Sequence, residues 1–425
     1  MEDPYRKRTM RIWIVTVGEP LPFPGAKDRL HRSGVLAGSL LDFGHEVVWW
    51  GSTFDHFTKT HHFSDDTILE PTDRFRMVLF RGIGYRRNVS LGRLRDHRQV
   101  GRKFAAAIEK EARKPDVILS SFPTIELAVE AVRYGRKHGI PVLLDVRDLW
   151  PDIFANVAPK PLRRLARMPL RPLFRQTEEA FEGCTGVVGI SPGYLEWGLR
   201  YAGRAKHEGD ALFPLGYRKL RRSGADLDRA GESLKRLGVD PAKAVCWFIG
   251  TFGRTYDLAP LIETARAFQE QGRTDVQFVV SGTGEDQRAY KALGAGLRNI
   301  VFTGWVDAAQ IAYLMTVARI GIAAYAPGAP QGLPNKFFEY LSEGIPILSS
   351  LEGESADMLR QQRCGLSYRA GDGADLARRL GEMLADREEL HAMARRGKQL
   401  FERELSADVI YPKLVGHLER IASLT

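Results

Sequence analysis

The sequence predicts an α/β protein in which two doubly wound parallel-sheet domains face each other across a cleft. Both halves alternate short apolar runs with amphipathic segments, the pattern of parallel strands joined by helical crossovers. The length of 425 residues exceeds what one hydrophobic core organises. Residues 217–243 are polar and lack a strand pattern, so we interpret them as a linker with a short helix. We therefore expect domains at 1–217 and 218–404, with a helix at 405–425 that could cross back to the first domain.

The first half contains six apolar runs of strand length. They lie at 11–17, 46–51, 76–80, 116–121, 141–146 and 186–190. The amphipathic segment "DRLHRSGVLAGSLLDFG" lies between the first two runs and ends at Gly44, a residue that commonly terminates helices.

The second half contains five such runs. They lie at 244–250, 276–282, 299–304, 320–326 and 345–350. Open α/β sheets bind ligands at the carboxyl ends of their strands, so we expect the chemistry in the loops that follow these runs.

Composition and charge narrow the functional class. The chain is 44% hydrophobic and 27% charged, which is ordinary for a globular protein, and no apolar run reaches the roughly 18 residues of a membrane span. The N-terminus carries no signal-peptide pattern, and the three cysteines, Cys184, Cys246 and Cys364, indicate buried thiols in a reducing compartment. Residues 1–217 carry 34 basic against 26 acidic side chains, and the remaining residues 28 against 26, so the first half favours an anionic partner.

The stretch "QGLPNKFFEYLSEGIPILSS", residues 331–350, predicts a turn, a helix and a buried strand. Pro334 suits the first turn of a helix, and Phe337, Phe338 and Leu341 could pack inward. Uncapped amides beside Lys336 would form a site for an anion such as phosphate. The alternative is an ordinary loop–helix–strand unit with a surface lysine.

Three further strand ends in the second half carry glycines or an aromatic residue. The segments are "IGTFGRTYDL", "SGTGED" and "FTGWVD", which contain Gly250, Thr251, Gly253, Arg254, Gly282, Gly284, Trp305 and Val306. Glycine lets a ligand approach the backbone closely, and Arg254 could clamp a pyrophosphate. Together with residues 331–350 they predict a site for a nucleotide diphosphate.

These segments, in this order, resemble the donor domain of the family 4 retaining glycosyltransferases, which have the GT-B fold. In the first half, "HRSGVLAGSLLDFGHEVVWWGS" and "LLDVRDLWPDIF" resemble the bacterial surface-polysaccharide branch that includes L-fucosamine transferases. The resemblance covers nearly the whole chain. It implies a nucleotide-sugar donor domain at 218–404 and an acceptor-binding domain at 1–217.

The resemblance also implies roles for individual residues. Arg254 and Lys336 would neutralise the donor pyrophosphate, helped by amides of the turn that comprises Gly332, Leu333, Pro334, Asn335 and Lys336. Glu339 would bind the ribose hydroxyls, and the backbone of Trp305 and Val306 would meet the base. The family has a second glutamate eight positions before Glu339, where this chain has Gln331. An amide bonds a sugar hydroxyl more weakly than a carboxylate does.

A retaining transfer in this family needs no obvious protein nucleophile. The family is described as using front-face attack, in which the departing phosphate oxygen takes the acceptor proton. Catalysis would then depend on positioning and on stabilising charge on the leaving diphosphate, which makes Arg254 and Lys336 catalytic as well as binding residues. We expect no cofactor besides the nucleotide-sugar co-substrate and no metal requirement.

The first domain lacks the histidine that many relatives carry near their acceptor. Ser121, Arg147 and Asp148 occupy the corresponding places, and we assign Asp148 a catalytic role. For Asp145 and Asp148 the alternative is a strand end and a helix cap. His31, on the first predicted helix, could face the cleft or lie at the surface.

The stretch "KPLRRLARMPLRPLFR", residues 160–175, is basic and apolar with no acidic residue. It includes Lys160, Arg163, Arg164, Arg167, Arg171 and Arg175. Such a stretch can lie on an anionic membrane, which a lipid-linked acceptor would require. The alternative is a solvated helix face, and Pro169 and Pro172 break any long helix.

The sequence thus predicts a retaining hexosyl or N-acetylhexosaminyl transferase. It would move a sugar from a UDP-sugar to a glycan or polyprenyl-linked acceptor during synthesis of a surface polysaccharide such as lipopolysaccharide. It would act in the cytoplasm, peripherally on the inner face of the plasma membrane, without nucleic acid. Two alternatives are a nucleotide-sugar epimerase of similar fold and a catalytically degenerate GT-B subunit that binds the donor without turning it over.

Overall fold

Two compact units make up the chain. The computed structural model describes residues 8–23, 30–88, 90–156, 165, 167–219, 222–329 and 331–424. One unit comprises Met1–Leu215 with Ile410–Thr425, and the other comprises Gly216–Val409. Each unit has its own sheet with helical crossovers, which confirms the predicted α/β class with two parallel sheets.

The sheet of the first unit has eight strands within the described residues. They are β1 (Arg11–Val15), β2 (Glu46–Ser52), β3 (Thr67–Thr72), β4 (Phe75–Phe80), β5 (Val117–Phe122), β6 (Val142–Val146), β7 (Gly186–Gly189) and β8 (Ala211–Leu212). Their order is β3-β4-β2-β1-β5-β6-β7-β8, with β3 antiparallel to β4 and the remaining pairs parallel. The six predicted runs are strands, whereas β3 and β8 were not predicted.

The central strands are buried on both faces, which explains their continuous apolar runs. All five residues of β1 are buried, and Trp13 packs edge-on against Trp50 of β2 with ring centroids 5.0 Å apart. The next strand along the sheet, β5, is also buried throughout.

Helices cover this sheet. They are α1 (Arg32–Asp42), α2 (Leu91–Ile108), α3 (Ile125–His138), α4 (Asp152–Asn156), α5 (Arg171–Gly183) and α6 (Pro192–Ala202). Gly44 follows α1 with a φ of 87°, the left-handed conformation expected of a residue that terminates a helix.

The sheet of the second unit has six strands within the described residues, all parallel. They are β9 (Ala244–Ile249), β10 (Val276–Ser281), β11 (Ile300–Gly304), β12 (Ala318–Ala323), β13 (Ile347–Ser349) and β14 (Gly365–Ser367). Their order is β11-β10-β9-β12-β13-β14. All five predicted runs are strands, and only β14 was not predicted.

The second unit begins with a helix that precedes its first strand. The helices of this unit are α7 (Gly224–Arg236), α8 (Ala259–Glu270), α9 (Gln287–Leu293), α10 (Ala308–Val317), α11 (Asn335–Ser342), α12 (Glu354–Gln362), α13 (Gly373–Ala385) and α14 (Arg387–Leu400), which a π-helix (Phe401–Leu405) follows. α7 lies in the segment predicted as a linker with a short helix. Its Gly231 faces the ring of Tyr313 on α10, and Leu234 is fully buried, so this helix is part of the unit's core.

The last helix, α15 (Ala407–Ser423), runs from the second unit into the first. The hydroxyl of Tyr411 donates to the carbonyl of Leu215 at 2.7 Å. The ring of His417 lies 3.2 Å from the carbonyl oxygen of Gly209. Residues from Ile410 onward therefore belong to the first unit.

The predicted state of the cysteines is confirmed. Cys184, Cys246 and Cys364 are buried free thiols. None of the helices in the described ranges is long and apolar enough to cross a membrane.

Candidate functional site

The carboxyl ends of β9 and β12 lie side by side in the middle of the second sheet. From β9 the sheet continues through β10 to β11 at one edge, and from β12 it continues through β13 to β14 at the other edge. Such a topological switch point is where open α/β sheets bind ligands. The loop after β9 begins at Gly250, and Tyr325 follows β12.

Two of the predicted glycines hold the loops after β9 and β10 against each other. A Cβ on Gly282 would lie 1.8 Å from the carbonyl oxygen of Gly250, and a Cβ on Gly284 would lie 2.1 Å from that of Phe252. Gly282 also has a φ of 134°, which side chains rarely adopt. Gly253 differs, because nothing lies within 4 Å of a Cβ placed there. Of these glycines, Gly253 is therefore the one with open space beside its backbone.

The helix predicted within residues 331–350 is α11. Pro334 is its N-cap, with φ −78° and ψ 154°, and thus lies one residue before the first turn where it was predicted. No side chain caps the first-turn amides. The inward packing of Phe337, Phe338 and Leu341 is confirmed, since each is at most 2% exposed.

Lys336 is buried, with 5% of its surface exposed, so the alternative of a surface lysine is wrong. Its Nζ lies 4.2 Å from the ring centroid of Phe248, 4.1 Å from that of Tyr256 and 5.1 Å from that of Tyr325. Among the described residues, this Nζ has no hydrogen-bond partner. We call the three rings the aromatic cage.

Burial lowers the pKa of Lys336 to about 7, although the negative charge of Glu339 on the next helical turn opposes this shift. Water is excluded from the ammonium, which disfavours its charged form. A bound anion would restore the charge by direct attraction. The site is therefore electrostatically prepared for a negatively charged ligand.

The sequence analysis did not identify the aromatic cage. Phe248 is in β9, Tyr256 is in the loop after it, and Tyr325 follows β12. These residues lie about 10 to 90 positions from Lys336 along the chain, so only the folded sheet brings them to the ammonium. Aromatic residues at the ends of two neighbouring strands were the signal that could have indicated them.

The other residues of the predicted turn lie close to α11. Gln331, Gly332, Leu333 and Glu339 are all half-buried. The Oε1 of Gln331 is buried and finds no hydrogen-bond partner in the part of the chain that the structure describes. The hydroxyl of Ser355 donates to the carbonyl of Gly332, which anchors the turn to α12.

Several predicted residues are exposed at the same sheet edge. Thr251 and Arg254 are exposed in the loop after β9, and Asn335 is exposed at the start of α11. Trp305, directly after β11, is 73% exposed, whereas its neighbour Val306 is buried in the core. β11 is separated from β9 by β10 alone, so Trp305 lies two strands from the switch point.

Asp148 lies in the first unit, after β6, and is half-buried. Its Oδ1 accepts a hydrogen bond from the amide of Leu149 at 2.8 Å. Burial raises its pKa, and hydrogen bonds from Leu149 and Trp150 and the charge of Arg93 oppose that rise. Asp148 does not cap α4, which begins four residues later. The catalytic role predicted for Asp148 stays a prediction.

Asp145 is the strand-end residue of the structural alternative, since it lies within β6, and its acceptor role stays a prediction. It is fully buried, and Arg32 and Arg147 both donate hydrogen bonds to its carboxylate. Burial raises its pKa, but the two guanidinium groups outweigh burial and hold the pKa below its ordinary value. His31 is exposed at the start of α1, as the surface alternative predicted.

A second group of side chains in the first unit was missed by the sequence analysis. The guanidinium carbon of Arg93, on α2, lies 4.4 Å from the ring centroid of Trp150 and 5.5 Å from that of Tyr85. The ring of His97 stacks on Trp150 with centroids 6.1 Å apart. Burial lowers the pKa of His97 to about 3, and the charges of Arg93 and His56 add to this shift. Arg93 and His97 lie one helical turn apart on α2, so both side chains contact Trp150, two residues after Asp148. The histidine in this group is neutral.

The basic stretch at 160–175 is described in part. Lys160, Arg163 and Arg164 lie outside the described residues. Leu165 and Met168 are 61% and 58% exposed. Arg171 and Arg175 are exposed on α5, and Leu173 and Phe174 of the same helix are buried.

No cluster of three His, Cys, Asp or Glu side chains in the described ranges could hold a metal ion. Metal independence stays a prediction.

Residues 243–386 match the family model described as "Glycosyl transferases group 1". This segment, about a third of the chain, is thus similar to the group 1 glycosyl transferases. It contains every strand of the second sheet, the aromatic cage and all the candidate residues of the second unit. No curated protein sequence matches the chain significantly.

Solved structures similar to the chain over nearly its full length are GT-B glycosyltransferases. Sucrose-phosphate synthase from Thermosynechococcus elongatus is 16% identical, with a TM-score of 0.69 over 98% of this chain and 100% of that one. HepE from Anabaena, in complex with UDP-glucose, is 14% identical, with a TM-score of 0.63 over 97% and 100%. WaaG, a glycosyltransferase involved in lipopolysaccharide biosynthesis, is 14% identical, with a TM-score of 0.65 over 96% and 99%. The predicted GT-B fold is therefore confirmed.

Proposed function

We propose that the protein is a retaining glycosyltransferase of family 4. It transfers a hexosyl or N-acetylhexosaminyl group from a UDP-sugar to a glycan or lipid-linked acceptor in the synthesis of a bacterial surface polysaccharide. The observation that carries this proposal is the buried ammonium of Lys336, which has no hydrogen-bond partner among the described residues. It belongs to the uncapped first turn of α11, in the segment that matches the group 1 glycosyl transferases. A buried cation and free helical amides together favour a dianionic ligand.

The same geometry suits the leaving group of a sugar transfer. The bond between the anomeric carbon and the phosphate oxygen breaks, and negative charge grows on the departing diphosphate. Lys336 and the amides at the start of α11 stabilise this charge, and exposed Arg254 adds a second cation from the loop after β9. The acceptor oxygen attacks the same carbon, and its proton passes to the departing phosphate oxygen. No cofactor or metal takes part in this proposal.

Trp305 and Val306 are proposed to meet the base. β11 is two strands from β9, which places these residues roughly 10 Å from the switch point at about 4.8 Å per strand. That separation is comparable to the length of a nucleoside diphosphate. HepE, with UDP-glucose, supports uridine as the nucleoside. Glu339 lies one helical turn beyond Lys336, where it can accept hydrogen bonds from the ribose.

The first unit is proposed to bind the acceptor. Asp148, with its pKa raised by burial, lies near the charge of Arg93, which also covers the face of Trp150. A half-buried carboxylate near a guanidinium offers an acceptor and donors of hydrogen bonds for sugar hydroxyls. The likeness to WaaG supports a surface polysaccharide as the product.

Contact with an anionic membrane is proposed through the region that includes Leu165, Met168, Arg171 and Arg175. Two exposed apolar side chains beside two exposed arginines suit the interface of an anionic bilayer. Attachment there, on the inner face of the plasma membrane, would bring the enzyme to a lipid-linked acceptor.

A panel of nucleotide sugars tests the proposal. Thermal unfolding should shift upward with the correct donor, because a ligand that binds the folded state stabilises it by mass action. The stabilising donor is then incubated with polyprenyl-linked and glycan acceptors, and the anomeric configuration of the product is determined by NMR. Conversion of the donor without an acceptor would indicate an epimerase. Binding without turnover on any acceptor would indicate a degenerate subunit, and an inverted product would exclude the retaining mechanism.

A further inference from the structure

The aromatic cage surrounds Lys336 from three separate segments of the second unit. Phe248 comes from β9, Tyr256 from the loop after β9 and Tyr325 from the residues after β12. Phe248 and Tyr325 are at most 2% exposed. The three rings therefore hold the ammonium from fixed positions at the switch point.

The cage attracts a cation without neutralising it. The π-electron face of an aromatic ring favours a cation within about 6 Å of its centroid. Burial raises the pKa of Tyr256, and burial together with neighbouring Tyr256 raises the pKa of Tyr325, so both phenols stay neutral. Tyr340, whose pKa burial also raises, is neutral as well. Glu339 is the charged group that faces the ammonium within the described residues.

Gly250 adds no side chain over the buried ammonium of Lys336. A Cβ at this position would lie 3.3 Å from the Nζ of Lys336 and 3.2 Å from the ring of Tyr256. Any larger side chain would cover the cation. The loop after β9 thus begins with a residue whose backbone alone borders the ammonium.

We propose that Phe248, Tyr256 and Tyr325 are positioning residues that hold the Lys336 ammonium for the donor diphosphate, and that donor binding is coupled to uptake of a proton by Lys336. This inference rests on the proposed function. The diphosphate supplies the anion that the buried ammonium lacks, and the rings fix where that ammonium lies.

The direction of the pH effect follows from the environment of Lys336. Burial lowers its pKa to about 7, with Glu339 opposing, so the free enzyme is mainly neutral at this residue at pH 8 and mainly charged at pH 6. A diphosphate raises the pKa in the complex. Donor binding at pH 8 then takes up about 0.9 proton and at pH 6 about 0.1, and affinity falls about tenfold between the two.

Isothermal titration calorimetry of the full chain tests this coupling. UDP-glucose and the other nucleotide sugars of the panel are titrated at pH 6 and pH 8, each in two buffers of different ionisation enthalpy. Their diphosphate diesters keep both charges throughout this range, so any proton exchanged belongs to the protein. Uptake near one proton at pH 8 but not at pH 6 is the expected result. A nucleotide sugar that binds without proton uptake at pH 8 would overturn the inference and leave the proposed function standing. If no nucleotide sugar binds at either pH, the proposed function fails and this inference with it.

Two substitutions of Tyr256 distinguish a role of its ring in positioning Lys336 from a general structural role. Tyr256→Phe keeps the ring and should retain the tenfold ratio of Kd between pH 8 and pH 6. Tyr256→Leu removes the ring, and loss of one cation–π contact should lower the pKa of Lys336 by about one unit. The ratio should then rise to about fiftyfold. Equal ratios for Tyr256→Leu and the parent, in proteins with the same thermal midpoint, would show that the ring does not act on Lys336. Should Tyr256→Leu fail to fold, the proton uptake of the parent still decides the coupling, and the same two measurements on Tyr325→Phe and Tyr325→Leu decide the positioning.

Discussion

The guanidinium of Arg32 and the carboxylate of Asp145 form a two-point ion pair inside the first unit. Nε lies 2.8 Å from Oδ2, and Nη2 lies 3.1 Å from Oδ1. Arg147 donates a further hydrogen bond to Asp145 at 2.7 Å, and its other contacts reach Glu19 and Ser33. The network ties β6 to the start of α1, so it stabilises the loops at this edge of the sheet.

Asp145→Asn should destabilise the protein by about 3–5 kcal/mol, because buried Arg32 loses its anion and Arg147 keeps only Glu19. Urea unfolding at pH 7 measures the change. Glu179→Gln is the matched control, since its pair with Arg133 is about half exposed and should contribute at most about 1 kcal/mol. Equal effects of the two substitutions would contradict the structural role of Asp145.

The same ion pair predicts a pH dependence of stability. Asp145 has a folded-state pKa below the ordinary value of 3.8, so its contribution is present above that value and is lost as the pH falls through the folded pKa. The stability difference between the parent and Asp145→Asn should therefore shrink as the pH falls below 3.8 toward the folded-state pKa. A difference that stays constant from pH 7 to pH 2.5 would rule this out.

Lys336→Met should stabilise the fold while it weakens donor binding. Replacement of a poorly compensated buried charge by an apolar side chain of similar length typically stabilises by about 1–4 kcal/mol. The pKa of Lys336 is about 7 when folded and 10.5 when unfolded. The penalty of burying the charge is therefore full below about pH 7 and disappears toward pH 10.5, and the gain in thermal midpoint should shrink over that range.

Two glycine substitutions should separate loop packing from ligand approach. In Gly282→Ala the new Cβ meets the carbonyl of Gly250, so we expect lower stability and weaker donor binding together. In Gly253→Ala the Cβ enters open space, so the free energy of unfolding should change by no more than about 0.5 kcal/mol. If a donor lies against Gly253, its Kd should still rise several-fold in calorimetry. An unchanged Kd would place the donor elsewhere.

Leu165→Ser combined with Met168→Ser should weaken binding to anionic vesicles. Both side chains are mainly exposed, so the double variant should fold normally and lose the apolar part of the contact. Arg171→Gln with Arg175→Gln should lose the electrostatic part, which would show as a weaker dependence on salt. Leu424→Ser, at another exposed apolar residue, is the control. If all the variants bind anionic vesicles as the parent does, this stretch is only a solvated helix face.

The fold was predictable where the pattern is local. Each predicted strand is an apolar run, and the central strands need one because they are buried on both faces. β3 was missed because Thr67–Thr72 alternates half-buried and exposed residues at the edge of the sheet and contains Pro71. β8 and β14 have only two and three residues, too few for a pattern to be recognised.

The strand ends and the helix start that carry the candidate residues were predictable, and the surroundings of these residues were predictable only in part. The helix start with Lys336 follows from a short segment, as do the glycines after β9 and β10. The burial of Lys336 could not be predicted, because it depends on Phe248 and Tyr325, which the fold brings from other strands. The structural role of Asp145 likewise depends on Arg32, more than one hundred residues earlier.

Lys336 and Glu339 lie one turn apart on α11 and should fail differently when substituted. Lys336 faces the diphosphate in the proposed complex, where negative charge grows as the glycosidic bond breaks. Lys336→Ala should therefore depress kcat as well as binding. Loss of a charge-assisted contact costs about 1.5–3 kcal/mol, or roughly one to two decades in rate.

Glu339 is proposed to meet the ribose, away from the reacting carbon. Glu339→Gln should mainly raise KM, because an interaction held equally in the ground and transition states changes binding without changing the chemical step. Glu339 also opposes the lowered pKa of Lys336, so its substitution should move the alkaline limb of kcat/KM to lower pH. Steady-state kinetics on the stabilising donor, from pH 6 to pH 9, measure both effects. If both variants keep the parental kcat and KM, α11 is scaffolding and its lysine has no part in the transfer.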